Sequence, residues 1–274
     1  MGRIDDIFRG LRSQQRRALM PFVCAGHPAS DGTGSLLAAL ERGGASIAEV
    51  GFPFSDPVAD GPVIAAAMHE AILAGVTPRA IFEAVAAARP SLGLGLVAMV
   101  SVSIVHRCGG PAGFAANAAA SGFDGMIVPD APLEESGPLM RSAAESGLCY
   151  SHLIAPTTPP RRIEELAKAS TGFVYLVARV GITGEQSGPP TVAPAVSRLR
   201  QVTDLPIAVG FGISSAEHVR MVVKDADAAI VGSALVKRLD VAKREGRDAT
   251  VEAESFVREL AAGLGPSEPA KPFQ

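Results

Sequence analysis

The chain has 274 residues, of which 47% are hydrophobic and 19% are charged, and its formal net charge at pH 7 is −3. This composition suits a sizeable buried core and argues against extensive disorder. A weakly negative chain lacks the basic surface that binds nucleic acids or anionic membranes, so we expect neither kind of partner.

The cysteines, the histidines and the first residues limit the possible cofactors and locations. Cys24, Cys108 and Cys149 are far apart and form no CxxC motif, and the histidines show no spacing typical of metal ligands. The N-terminal segment MGRIDDIFRGLRSQQRR has acids and arginines where a signal peptide needs an apolar core. We expect a cytoplasmic protein with free thiols and no metal or organic cofactor.

The predicted elements begin with a short amphipathic helix over residues 4–15. The chain then repeats a cycle of a short apolar strand, a loop rich in Gly, Pro and Asp, and an alanine-rich helix. Strands are predicted over residues 21–24, 47–50, 94–100, 125–128, 148–154, 173–177, 206–209 and 228–231. Helices are predicted over residues 36–42, 63–73, 79–88, 113–120, 137–145, 161–169, 194–201, 216–223 and 251–262.

This alternation predicts an α/β fold with a parallel sheet that is buried on both faces. Closing eight βα units gives a (β/α)8 TIM barrel of about 250 residues, and eight regular units in this length favour closure over a doubly wound open sheet. No change of composition suggests a linker. We therefore expect a single domain over 1–274, with the core at about 18–262 and a frayed tail over 263–274.

Residues 47–62, IAEVGFPFSDPVADGP, carry two candidate catalytic carboxyl groups. Glu49 lies inside an apolar strand, where a carboxylate is costly unless it is paired or carries a proton. Asp60 follows on a loop rich in Pro and Gly, and in a barrel both residues belong to the face where the strands end. The pair suits general acid/base chemistry. The alternatives are structural, a salt bridge for Glu49 and a helix cap for Asp60.

Glycine-rich loops follow the last three predicted strands, over residues 181–184, 210–215 and 232–234. Such loops recurrently bind phosphate in barrels, because glycine lets backbone N–H groups approach an anion and a helix N-terminus adds a positive dipole. Ser214 and Ser233 offer hydroxyl donors. The alternative is that these glycines serve only the turns.

The loop over 179–190, RVGITGEQSGPP, is predicted to be a mobile lid, and we hypothesise that its Thr183 reaches Asp60 on closure. None of the lysines lies in a predicted strand, which disfavours a Schiff-base mechanism. The residues alone therefore predict acid/base chemistry on a small phosphorylated molecule.

Six sequence blocks together resemble the tryptophan synthase alpha subunit family. They are PFVCAGHP from residue 21, EVGFPFSDPVADGP from 49, AGVTP from 74, VPDAPLEES from 128, VYLVARVGITG from 174 and GFGISS from 210. The resemblance runs from about residue 20 to 240. It implies a lyase that cleaves indole-3-glycerol phosphate to indole and glyceraldehyde 3-phosphate in L-tryptophan biosynthesis. It also implies a β-subunit partner in an α2β2 heterotetramer.

The resemblance further implies the roles of individual residues. Glu49 would move the proton at indole C3, and Asp60 would stabilise the positive charge that develops on the ring nitrogen. The implied substrate-binding residues are Phe22 near the indole, Tyr175, Thr183, and the phosphate contacts Gly184, Gly212, Gly232 and Ser233. For Tyr175, core packing on its strand is the alternative.

Two segments depart from the family pattern. Residues 99–104 read MVSVSI where the family usually has a block like MYAN, and Gly26-His27-Pro28 replaces a Gly-Asp-Pro tripeptide. These changes bear on coupling to a β subunit more than on the chemistry. They leave open a stand-alone lyase and a catalytically weak allosteric partner, and another phosphate-binding isomerase barrel is the remaining enzyme class.

Overall fold

In a computed structural model of the chain, residues 2–57, 60–177, 192–210 and 212–265 are described, and the structural findings below concern these residues. Their strands and helices alternate as the sequence predicts. The strands are β1 (Ala18–Cys24), β2 (Ile47–Gly51), β3 (Gly95–Met99), β4 (Gly125–Ile127), β5 (Cys149–Tyr150), β6 (Leu153–Ile154), β7 (Val174–Val177), β8 (Ile207–Gly210) and β9 (Ala228–Val231).

The helices follow the predicted positions and include two further ones. They are α1 (Arg3–Ser13), α2 (Thr33–Arg42), α3 (Pro62–Leu73), α4 (Pro78–Ala88), α5 (Val102–Arg107), α6 (Gly110–Ala120), α7 (Gly137–Glu145), α8 (Pro160–Ala169), α9 (Ala193–Arg200), α10 (Ala216–Val223), α11 (Ser233–Arg244) and α12 (Ala249–Ala261). The prediction lacks α5 and α11. In the part of the chain that the structure describes, no single helix is long and apolar enough to cross a membrane. One pair of helices, Pro62–Leu73 and Pro78–Ser91, has the required length and composition together, but the pair is bent by 97°.

The strands form a parallel sheet in the order β5-β4-β3-β2-β1-β9-β8-β7-β6. Only Ser151 and His152 separate β5 from β6, so the chain itself joins the two ends of the sheet and closes the predicted barrel. The single strand predicted over 148–154 is in fact two pieces. The first piece pairs with β4 and the second with β7, because each of these neighbouring strands pairs with only two residues of the predicted strand.

Helix α1 closes the base of the barrel, the end where the strands begin. Its residues Ile4 and Phe8 are buried, and the Phe8 ring lies 6.1 Å from that of Phe173. They pack on an interior cluster to which several strands contribute, including Met20, Ile47, Val97, Ile127, Ala208 and Ile230. The base is therefore a closed apolar core, and the open end lies where the strands finish.

Three helices interrupt the regular βα order at that open end. Helix α3 lies between β2 and α4, α5 between β3 and α6, and α11 between β9 and α12. Helices α3 and α11 contact each other and β1, and they bury Ile64, Met68 and Val236 against Phe22 and Cys24. We call these five residues the apolar wall. It forms one side of the barrel mouth.

At the base, Asp227 joins two strands and two helices. The residue precedes β9, and its carboxylate accepts the N–H of Ile207 at 2.8 Å and an N–H of Arg12 at 3.2 Å. It also pairs with Arg200, which stands seven residues before Ile207. We call this group the Asp227 staple.

The same arrangement recurs between β3 and β4. The carboxylate of Asp124 accepts the N–H of Leu96 at 2.9 Å, and its two oxygens lie 3.0 and 3.1 Å from Nη2 of Arg89, which donates to them. Arg89 again stands seven residues before the strand amide. This Asp124 staple lies half a turn of the barrel away from the Asp227 staple, so the two halves of the barrel repeat one device.

Candidate active site

Glu49 is the central residue of β2, and only 1% of it is exposed. Its Cα neighbours on the adjoining strands are Phe22 and Val97. Side chains alternate along a strand, so Glu49 faces the interior, like Ile47. Its Oε1 atom has no hydrogen-bond partner among the described residues, and burial raises the pKa of Glu49 to about 8. A buried carboxyl without a partner does not fit the salt bridge that was the structural alternative.

Asp60 lies just before helix α3 but does not cap it. The N-cap is Gly61, Pro62 is the first helical residue, and no side chain bonds to the end of the helix. The Asp60 N–H donates to the carbonyl of Pro57 at 3.0 Å. Burial raises the pKa of Asp60 to about 6.

Tyr175 is brought to both carboxyl groups by closure of the barrel. It lies on β7, which is four positions around the ring from β2 in either direction when β5 and β6 are counted as one position, so it faces Glu49 from the opposite wall. Burial first, and then the charges of Glu49 and Asp60, raise the pKa of Tyr175 well above its usual value. The charges of both carboxyl groups therefore act on the phenol. Its ring also packs on the interior cluster, so core packing accounts for part of its role.

Phe22 places an aromatic face beside this group. It neighbours Glu49 across the sheet and belongs to the apolar wall. A Cβ atom at Gly51 would lie 2.5 Å from Cε2 of Phe22, so the ring covers that glycine. Carboxyl groups next to a flat apolar surface suit a planar heteroaromatic ring.

The glycine loops after β8 and β9 each lead into a helix N-terminus. Gly212 has φ +73°, and α10 follows with Ser215 as its cap. Gly232 is the N-cap of α11 and Ser233 is its first residue. A Cβ atom on Gly232 would lie 3.9 Å from Cβ of Phe22. The N-terminus of α11 therefore borders the apolar wall, and the free N–H groups at the starts of α10 and α11 are of the kind that suits an anion.

The remaining predicted site residues, Thr183 and Gly184, lie outside the described residues, as does the whole segment 179–190. The predicted tail beyond residue 265 also lies outside them. No group of three or more His, Cys, Asp or Glu residues in the described ranges is arranged to hold a metal ion.

Sequence reasoning missed three residues of the site. Cys24 lies near Asp60, whose charge adds to burial in raising the pKa of this thiol to about 12. Gly51 and Gly210 each make room for an aromatic ring of the neighbouring strand, Phe22 and Tyr175 respectively. The two glycines do share a sequence signal, since each is the middle residue of a Val-Gly-Phe triplet.

The departures from the family pattern also have definite positions. In the segment 99–104, the Ser101 hydroxyl donates to Asp130 at 2.7 Å, and the Val102 N–H donates to the same carboxylate at 2.9 Å. This carboxylate joins the loops after β3 and β4. His27 is buried beside α3 and α11.

Comparison with known proteins adds an independent line of evidence. The family model described as "Tryptophan synthase alpha chain" matches residues 8–264. The tryptophan synthase alpha chain of Solibacter usitatus is 42% identical over 266 residues, which cover 97% of this chain and 99% of that protein. That of Gloeobacter violaceus is 41% identical over 248 residues, 90% of each.

Solved structures agree with these matches. A chain of Mycobacterium tuberculosis tryptophan synthase superposes with a TM-score of 0.87 at 34% identity, over 96% of this chain and 98% of that chain. The matches favour the family's lyase reaction over the stand-alone and weakly catalytic alternatives. On matches of this length and identity, the chain belongs to the tryptophan synthase alpha chain family, lyases that act on indole-3-glycerol phosphate and have a β-subunit partner.

Proposed function

We propose that Glu49 and Asp60 are the catalytic pair that cleaves indole-3-glycerol phosphate to indole and glyceraldehyde 3-phosphate. The observation that carries this proposal is the difference between the two carboxyl groups. With pKa values of about 8 and about 6, Glu49 holds its proton at pH 7 while Asp60 has lost it. One group can therefore donate a proton while the other stabilises a positive charge.

The cleavage breaks the bond between indole C3 and the adjoining carbon of the glycerol chain. Glu49 gives its proton to C3, and the positive charge that appears on the ring nitrogen is stabilised by the Asp60 carboxylate. Glu49, now ionised, removes the proton from the hydroxyl group of the adjoining carbon. The electron pair of the breaking bond returns to the indole ring, the hydroxyl carbon becomes the aldehyde, and Glu49 ends protonated as it began.

The substrate-binding roles follow from the same arrangement. Phe22 would face the indole, and the Tyr175 hydroxyl would lie between the two carboxyl groups and the reacting carbons. Gly212, Gly232 and Ser233 would hold the phosphate at the two helix N-termini. For Thr183 and Gly184 the proposal rests on the sequence alone.

We also propose that the chain and its β subunit form an α2β2 heterotetramer. Membership of the family supports the β partner, and the stoichiometry is the finer part of the proposal. The mass of the complex reconstituted with a tryptophan synthase β subunit tests it, and a stable αβ heterodimer, with half that mass, would contradict it.

Indole release by the purified chain, with and without the β subunit, tests the catalytic proposal. We expect Glu49→Gln to lower kcat by at least about 10³-fold, since the variant can neither give nor take the proton. Binding of glycerol 3-phosphate, measured by calorimetry, should change by less than about threefold, because the anion site is separate. Glu83→Gln, at an exposed position on α4, is the matched control. Turnover retained by Glu49→Gln would refute the assignment.

A further inference from the structure

His27 is a buried histidine outside the catalytic group, on the loop after β1. Only 3% of it is exposed, and neither ring nitrogen has a hydrogen-bond partner among the described residues. The nearest charged atom is Oε2 of Glu70 on α3, 3.5 Å from Nδ1. That separation allows attraction but is too long for a good hydrogen bond. A buried polar ring in this state calls for an explanation.

The groups that face His27 link two helices of the barrel mouth. Oε2 of Glu70 also accepts a hydrogen bond from Nζ of Lys243 on α11 at 2.8 Å. The charged groups that act on the imidazole are Glu70 from α3, and Lys243 and Asp240 from α11. His27 therefore lies beside the ion pair that joins α3 to α11.

These two helices position the proposed site residues. Helix α3 begins two residues after Asp60, and α11 begins at Ser233. The loop that carries His27 is tightly held, because the Gly26 N–H donates to Thr33 Oγ1 at 3.0 Å and a Cβ on Gly26 would collide with Val76 just beyond α3. A change at His27 would therefore be passed to α3.

We propose that His27 is a positioning residue, whose neutral imidazole keeps Glu70 bonded to Lys243 and whose protonation draws Glu70 away, shifting α3 and with it Asp60. This inference rests on the proposed role of Asp60. Burial lowers the pKa of His27, and Lys243 lowers it too, while Glu70 and Asp240 act in the opposite sense. The ring is therefore neutral near pH 7 and gains its proton at a lower pH than an ordinary histidine.

The pH dependence of kcat/KM for indole release tests the proposal with a readout that a purely structural role would not change. Two protonations, of Asp60 and of His27, should make the acid limb of log kcat/KM approach a slope of two. His27→Gln should reduce that slope to one, so that in the pH range where the wild-type slope exceeds one the variant keeps several-fold more of its neutral-pH activity than the wild type.

Two further variants make the result specific. Glu70→Gln removes the charge that a protonated His27 would attract, so it should also return the slope to one. This variant serves as the test if His27→Gln does not fold. His69→Gln is the matched control, because His69 is an exposed histidine next to Glu70 on the same helix. It should leave the profile unchanged. A slope that is the same in the wild type, His27→Gln and Glu70→Gln would overturn the proposal.

The proton itself can be followed by NMR without any turnover. The titration of the His27 ring in the full chain should move to lower pH in Glu70→Gln, since an attractive carboxylate is lost. Absence of indole release with this titration intact would reject the proposed function and leave the His27–Glu70 contact standing. An unchanged titration would reject the contact whatever the activity.

Discussion

The ring of Tyr175 lies directly over Gly210 of the neighbouring strand. A Cβ atom at residue 210 would be 2.8 Å from both Cε1 and Cζ of the ring, and closer still to the hydroxyl oxygen. Real Cβ atoms do not approach ring carbons so closely, so the glycine is required by the tyrosine. One wall of the site therefore depends on a pair of residues from two strands.

Gly210→Ala should displace the Tyr175 hydroxyl and lower kcat/KM by roughly 10²-fold, because misplacement by about 1 Å is costly in an organised site. It should also destabilise the fold by about 1–3 kcal/mol through overpacking. In a Tyr175→Leu background the same alanine should cost much less stability, since the shorter side chain leaves room. A double-mutant cycle on urea unfolding measures this coupling, and additive effects would contradict it.

The pH profile of kcat/KM should be bell-shaped. Activity requires Asp60 ionised and Glu49 protonated, so it should rise through the pKa of Asp60 at about 6 and fall through that of Glu49 at about 8. The two apparent pKa values belong to the interacting pair of carboxyl groups, and the pH dependence of kcat/KM reports them for the free enzyme. Asp60→Asn should remove the contribution of Asp60 to the acid limb and leave the basic limb of the profile unchanged. A basic limb still present in the residual activity of Glu49→Gln would contradict the assignment.

Glu49 should reduce the stability of the folded chain as pH rises. Its pKa increases from 4.5 to about 8 on burial, so between these values the folded chain holds a proton that the unfolded chain has released. Stability therefore falls with rising pH across this window, by up to about 1.4 kcal/mol per pH unit from this group. Glu49→Gln lacks the effect. Its advantage in urea unfolding should grow between pH 5 and pH 8, and a constant difference would count against a buried titrating Glu49.

The two staples should differ in strength. At Asp227, burial favours the neutral acid but is outweighed by the N–H donors of Arg12, Arg200 and Ile207, so its pKa is lowered. At Asp124, burial outweighs the donors and the pKa is raised. The ionised form is thus favoured only at Asp227, where its contribution is complete above the unfolded pKa and is lost as pH falls through the folded one.

Asp227→Asn should therefore cost about 2 kcal/mol in urea unfolding at pH 7, and Asp124→Asn about 1 kcal/mol or less. Both variants should keep their kcat, because both staples lie at the base of the barrel, at the opposite end from Glu49 and Asp60. A larger loss of stability in Asp124→Asn than in Asp227→Asn would contradict this difference between the two staples.

The fold could be predicted from sequence because buried parallel strands leave a simple signal, an apolar run followed by a Gly- or Pro-containing loop. Helix α5 escaped prediction because it has only six residues, several of them β-branched. Helix α11 follows directly on the glycine loop after β9, whose sequence signal is that of a phosphate-binding turn and hides the start of the helix. The break between β5 and β6 depends on how far the neighbouring strands reach, which is a tertiary property.

The candidate site, too, has some residues that the sequence predicts and others that depend on tertiary structure. Glu49 and Asp60 lie close enough in the chain for their pattern to be visible. The approach of Tyr175 to them depends on barrel closure, since β2 and β7 are four positions apart around the ring. The burial of His27 depends on α3 and α11, of which only α3 was predicted.

The staples also make two backbone amides unusual. The N–H groups of Leu96 and Ile207 bond to carboxylates. In hydrogen exchange, such an amide becomes exposed when the aspartate swings away, even while the neighbouring strands stay paired. Leu96 and Ile207 lie in opposite halves of the barrel. Comparing their exchange rates would therefore show whether one half of the barrel base opens locally while the other half stays closed.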